Sequence, residues 1–171
     1  PHNFLNVCLV ISFENLNTNF EWTNIIIRNK EITDSMESLT VNQKQYYIVK
    51  LLGKGKGGYS YLVKDELGNQ YVLKQIHHEP CSYYTFGNKI ESEHNDYKLL
   101  IATGISMPKM LDIDFTTERI VKEYIEGPTI FDLVKENKMK NEYIDQIKEM
   151  CKILYPKQIN IDYFPTNFVV Q

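Results

Sequence analysis

The stretch Leu52-Gly53-Lys54-Gly55-Lys56-Gly57-Gly58-Tyr59-Ser60-Tyr61-Leu62-Val63 places four glycines within six residues, between flanks of β-prone side chains. Without Cβ atoms, the backbone N–H groups of such a loop can approach a polyphosphate closely. Taken alone, the G-x-G-x-x-G spacing is more often the mark of a flexible hairpin tip. The flanks discriminate. Upstream, Tyr46-Tyr47-Ile48-Val49-Lys50-Leu51-Leu52 is β-rich, and Tyr59 to Val63 resumes the same character, so the loop closes two antiparallel strands. A dinucleotide-binding loop opens a helix instead, and a Walker loop continues into Lys and then Ser or Thr, where Tyr59 stands here. Both are excluded.

Working outward, the polar turn Lys64-Asp65-Glu66-Leu67-Gly68-Asn69-Gln70 leads to a third strand over residues 71–76, which Pro80 is expected to end. The spacing of Ile90, Tyr97, Leu100 and Ile101 predicts a helix over about residues 88–102, closed by Gly104, with Glu91, Glu93 and Lys98 on its other faces. Two more strands are expected at residues 109–113 and 119–124, before Glu126-Gly127-Pro128 breaks the pattern. Asn141 is a fitting N-cap for a helix that aligns Ile144, Ile147, Cys151 and Leu154 on one face and stops before Pro156. Residues 1–40 are asparagine-rich, with two apolar patches at 7–11 and 25–27, either of which suits a strand. They read as an accessory extension, with Met36 a candidate start for the domain proper. The fold class is α+β.

Composition sets the outer bounds. The chain has 171 residues, 43% hydrophobic and 24% charged, enough apolar material for one ordinary core and outside the disordered and membrane classes. A net charge of -3 gives no general attraction to nucleic acid or to an anionic membrane, and neither is expected as a partner. No apolar run approaches the roughly 20 residues needed to span a bilayer. Cys8, Cys81 and Cys151 are odd in number and widely spaced, and His77, His78 and His94 complete no zinc pattern with them. Reduced thiols, surface histidines and a cytoplasmic location are the expectation.

The glycine stretch then lines up without gaps on the loop that members of the protein-kinase-like superfamily lay over ATP, and the resemblance extends downstream in order. Val72-Leu73-Lys74 is similar to the V-A-I-K motif, so Lys74 is implied to hold the α- and β-phosphates. Glu93-His94-Asn95-Asp96-Tyr97-Lys98-Leu99-Leu100 resembles the E-x-x-x-Y-x-x-L pattern of the following helix, which makes Glu93 the acid that orients Lys74, with Glu91 in reserve. Val121-Lys122-Glu123-Tyr124-Ile125-Glu126-Gly127 resembles the hinge, where the carbonyl of Glu123 and the N–H of Ile125 are implied to meet adenine. Asn160-Ile161-Asp162-Tyr163-Phe164-Pro165-Thr166-Asn167 carries the D-x-x-x-x-N spacing of the catalytic loop, with Asp162 the implied base and Asn167 the implied magnesium ligand.

The resemblance therefore implies a five-stranded antiparallel lobe with one regulatory-type helix over residues 41–126, and a hinge exit with the beginning of a helical lobe over residues 127–171. It implies an ATP- and Mg2+-dependent phosphotransferase with a hydroxyl acceptor. Leu52, Gly53, Lys54, Gly55, Lys56, Gly57, Gly58, Ser60, Val72, Lys74, Glu123 and Ile125 would line the nucleotide. A protein serine/threonine kinase is the first reading; a small-molecule kinase of the aminoglycoside or choline type and a nucleotide-binding pseudokinase are the alternatives.

The sequence also departs from the family. Asn160 and Ile161 replace the His and Arg of H-R-D, Phe164 stands where many protein kinases have Lys, Ser60 replaces the valine over adenine, and Lys122 occupies the position that gates the adenine pocket. The chain reaches Gln171 before a D-F-G aspartate or its equivalent, so as it stands it is expected to turn over poorly.

Overall fold

Asn42 and Gln43 both adopt positive φ, 44° and 72°, and so make the tight primed turn whose twist suits an antiparallel hairpin. The turn joins the strands Ser38–Val41 and Lys44–Lys54. In the computed structural model, which describes residues 9–11, 37–80 and 87–171, the strands are β1 (Leu9–Ile11), β2 (Ser38–Val41), β3 (Lys44–Lys54), β4 (Gly58–Lys64), β5 (Gln70–Ile76), β6 (Met110–Asp114), β7 (Arg119–Glu123) and β8 (Phe168–Val170). The helices are α1 (Lys89–Ile101), α2 (Ile130–Lys135) and α3 (Asn141–Leu154). The patch at 25–27, the first two residues of the patch at 7–11, Met36 and Cys81 lie outside the described residues. The described residues fall into two units: a sheet unit of residues 37–80, 87–92 and 109–124, and a helical unit of residues 9–11, 93–108 and 125–171.

In the sheet unit all six strands pair antiparallel in the order β2-β3-β4-β5-β7-β6. The expected five-stranded sheet is thus corrected to six. The added strand, β2, is short, four residues that alternate Ser and Thr with Leu and Val, and is turned by Asn-Gln without the glycine that usually announces such a hairpin. Register shifts near Val49 and Leu52 in β3 increase the local twist, and the sheet curls until its two edges meet. There the Asn42 side chain donates to Asp112 Oδ1 at 2.8 Å and to the Ile113 carbonyl at 3.0 Å, while the Arg119 guanidinium donates to the Thr40 carbonyl at 2.7 Å.

The inner face carries Val41, Tyr46, Val63, Leu73 and Val121, all buried in one cluster. Burying each aliphatic side chain contributes about 1.5–3 kcal/mol. A one-residue slip of β5 would exchange Leu73 for Lys74 on that face, so the apolar stripe fixes where the lysine points. On the opposite face Ile76 and Ile120 pack with Ile90 of α1. Strand β5 ends at Ile76, where the sequence places its end, four residues before Pro80.

The helical unit holds the short parallel pair β1–β8, with Leu9 opposite Phe168 and Ile11 opposite Val170. Part of the accessory extension is therefore core material, since Leu9 and Ile11 are fully buried with Phe168, Leu154 and Ile161. Helix α2 begins at a capping box in which Thr129 and Asp132 each bond the other's backbone. Helix α3 starts at Asn141 itself; its N-cap is Lys140, which makes no side-chain cap bond, so the expected Asn141 cap is corrected. Its buried face runs through Tyr143, Met150 and Leu154 with Ile147 packed alongside, whereas Ile144 is exposed, as is Ile101 of α1. The aromatic Tyr143 takes the inward position one residue before the expected Ile144. Gly104, at φ +80°, closes α1 as its spacing predicted. No helix among the described residues is long and apolar enough to cross a membrane.

Candidate functional site

The glycine stretch forms the tip of the β3–β4 hairpin. The Gly55 N–H donates to the Gly58 carbonyl at 2.9 Å, closing a turn of which Lys56 and Gly57 are the apex. Gly58 enters β4 so close to β5 that a Cβ there would collide with the Gln75 carbonyl oxygen. Only glycine fits at this base of the loop. From it the ladder sets three residues in one cross-strand row, with Gly53 opposite Ser60 and Ser60 opposite Lys74; Ile120 of β7 continues the row. Ser60, Val72 and Lys74 share the face turned away from the buried inner cluster, and Lys74 is half-buried. Leu52 lies at a register shift of β3 and is largely exposed.

Lys122 stands opposite Val72, on the same face as Lys74 and diagonal to it. Lys122 thus adds a second cation beside Lys74 on that face. Glu123 is held through Lys109, its N–H donating to the Lys109 carbonyl at 2.9 Å and its carboxylate accepting from the Lys109 N–H at 3.2 Å. That reciprocal pair fixes the backbone at the end of β7.

Glu79 and Lys89, which stand in no motif, and His77, expected only as a surface histidine, anchor the loop tip. The Glu79 N–H donates to His77 Nδ1 at 3.2 Å, which leaves Nε2 to carry the proton and donate to the Gly55 carbonyl at 3.0 Å. The Lys89 ammonium donates to the Lys56 carbonyl at 3.3 Å and to the His77 carbonyl at 2.5 Å. Glu79 accepts from Lys54 at 2.6 Å and from the Tyr59 hydroxyl; Lys54 in turn lies over the Tyr59 ring, 5.1 Å from its centroid. The bonds to Lys54 and then Tyr59 pull the Glu79 carboxyl below its ordinary range, and the bond to Glu79 raises the Lys54 ammonium. A shallow groove of about 380 Å³ runs between Lys54, Gly55, Lys56, His77, Glu79 and Pro80. Hydrophobic periodicity is blind to these residues because their role is polar and local.

In the helical unit, the loop after Ile161 is built on buried neighbours. Ile161 is fully buried and Tyr163 packs against the same core, its ring 6.5 Å from that of Phe168 and its hydroxyl accepting from the Cys151 thiol at 3.3 Å. Burial first, and then the bond from Cys151, raise the Tyr163 phenol. Between these anchors, Asp162 Oδ1 accepts the Phe164 N–H at 3.2 Å, and the Asn167 amide nitrogen donates to the Asp162 carbonyl at 3.1 Å. The pair Asp162 and Asn167 is therefore brought together, and the amide's donation leaves its oxygen to serve as a ligand.

Glu93 is half-buried while Glu91 is exposed. Burial, and secondarily the charge of Glu93, raise the carboxyl of Asp96 one turn on. Ile125, half-buried, belongs to the helical unit. Among the described residues no three His, Cys, Asp or Glu side chains gather as a metal-binding group. The Asn167 amide oxygen is one hard donor of the kind magnesium accepts, an ion that commonly takes one or two protein oxygens and completes its shell with water and phosphate. A scan of family models and a search of curated proteins find no match to this chain.

Proposed function

We propose that the chain is the nucleotide-binding part of an ATP- and Mg2+-dependent phosphotransferase of the protein-kinase-like superfamily, transferring a phosphoryl group to a hydroxyl. One observation carries the reading: a glycine hairpin and a lysine occupy the same cross-strand row, two strands apart on one sheet face. A phosphate seated under bare backbone amides needs a cation from the neighbouring strand, and that row supplies it. In this reading Lys74 holds the α- and β-phosphates, Glu93 orients it, and the backbone of Glu123 and Ile125 receives adenine. Asp162 accepts the proton of the attacking hydroxyl, and Asn167 offers its amide oxygen to magnesium, which offsets phosphate charge when bound.

A protein serine or threonine is the first acceptor. A small-molecule acceptor is favoured by a specific feature: the residue before Asp162 is Ile161, fully buried in the core, where an arginine would be needed to read a phosphorylated loop. The test is thermal stabilisation by MgATP. A ligand at 100 times its Kd adds about 2.7 kcal/mol, a shift of several degrees. Lys74→Ala should abolish it; a shift that survives the substitution rejects the assignment of Lys74, and no shift in the unaltered chain rejects nucleotide binding.

A further inference from the structure

Lys89 is the one buried charged residue recorded among the described residues, 7% exposed, and it sits in the first turn of α1. A cation there opposes the helix dipole, and taking an ammonium out of water is costly unless hydrogen bonds replace those it loses. Two of those bonds are known. One goes to the carbonyl of Lys56 at the apex of the glycine loop, and the other to the carbonyl of His77 just beyond β5. The same His77 grips Gly55 through its ring. Together Lys89 and His77 tie two successive loop residues to the exit of β5.

The loop's other ties include its own Gly55–Gly58 turn bond and the exposed Lys54–Glu79 pair, which solvent can compete for. Lys54, Gly55 and Lys56 are exposed, and glycine-rich backbone loses more conformational entropy on ordering than any other. Whatever the loop binds through its amides must meet that cost unless the protein has met it beforehand.

We propose that Lys89 is a positioning residue that clamps the glycine loop down and pre-organises its backbone for an anionic ligand. The identity of that ligand as a nucleotide rests on the function proposed above; the clamp itself does not. Lys89 touches no phosphate in this scheme and acts through the Lys56 carbonyl.

The test uses the whole chain and two readouts. Hydrogen exchange of the Gly55 amide, which is protected by the Gly58 carbonyl, reports the loop directly, with the β4–β5 ladder amides as the internal control. Titration with MgATP reports the consequence. Lys89→Met, close in volume, should speed exchange at Gly55 at least tenfold, leave the ladder amides as they are, and weaken MgATP about tenfold. Lys89→Arg, which keeps donors at the same place, should restore much of both. Unchanged Gly55 exchange in Lys89→Met overturns the clamp, as does equal acceleration along the whole ladder, which would make Lys89 a general core strut. Loop loosening in a chain that never binds MgATP upholds the clamp and rejects the nucleotide.

Discussion

Gly53 and Lys74 lie in one cross-strand row, separated by Ser60. With strands about 4.8 Å apart, their backbones are roughly 10 Å from each other, a gap that a lysine stem and a bound phosphate can share. Neighbours in β5 therefore have divided duties: Leu73 faces the buried inner cluster and Lys74 the opposite side.

That division predicts opposite phenotypes for adjacent substitutions. Leu73→Ala should cost about 2–5 kcal/mol in urea unfolding, as a fully buried truncation does, while any remaining folded protein still responds to MgATP. Lys74→Ala should change stability by no more than about 1 kcal/mol and remove the response. Similar losses of stability at both positions would mean that the faces are wrongly assigned.

Gly58→Ala should be far worse than an ordinary glycine replacement in a strand. Its methyl would meet backbone, the Gln75 carbonyl, which cannot turn aside as a side chain can. Parting β4 from β5 at the base of the loop should cost about 1–3 kcal/mol, read from the urea midpoint at constant slope. Gly53→Ala, which meets nothing nearby, is the control.

Asp114 offers a pH signature. Bonds from Thr117, then from the Asn42 N–H, hold its carboxyl down at about 2. A carboxyl depressed in the folded state stabilises above its unfolded value, near 3.9, and loses that contribution as pH falls towards 2. Asp114→Asn should thus be less stable than the unaltered chain at pH 7, with the difference closing between about pH 4 and pH 2. A difference that stays constant across that window would show that packing, not charge, is responsible.

Tyr163 should control the loop that carries Asp162 and Asn167. Tyr163→Phe keeps the ring and loses the hydroxyl's bonds with the Cys151 thiol and Tyr155, and should cost about 1 kcal/mol. Tyr163→Ala removes the ring packed beside Phe168 and should cost about 3–5 kcal/mol. Exchange of the Asn167 amide hydrogen, which donates to the Phe164 carbonyl at 2.8 Å, should rise in the alanine variant before the helices open.

Local pattern alone determined the strand–glycine–strand hairpin, the strands flanking the turn at Gly68, the helix closed by Gly104 and the order of the polar residues along the chain. Those features depend on alternation, periodicity and turn chemistry between near neighbours, all of which are written in sequence. Tertiary structure decided the rest. The sixth strand forms because Asn42 finds Asp112 and Ile113, 70 and 71 residues away. Leu9 and Ile11 become core only through pairing with β8, and Lys89 acquires partners only when the loop tip and the end of β5 come within reach of one ammonium. Long-range hydrogen bonds and burial have no period, so no window of sequence can contain them.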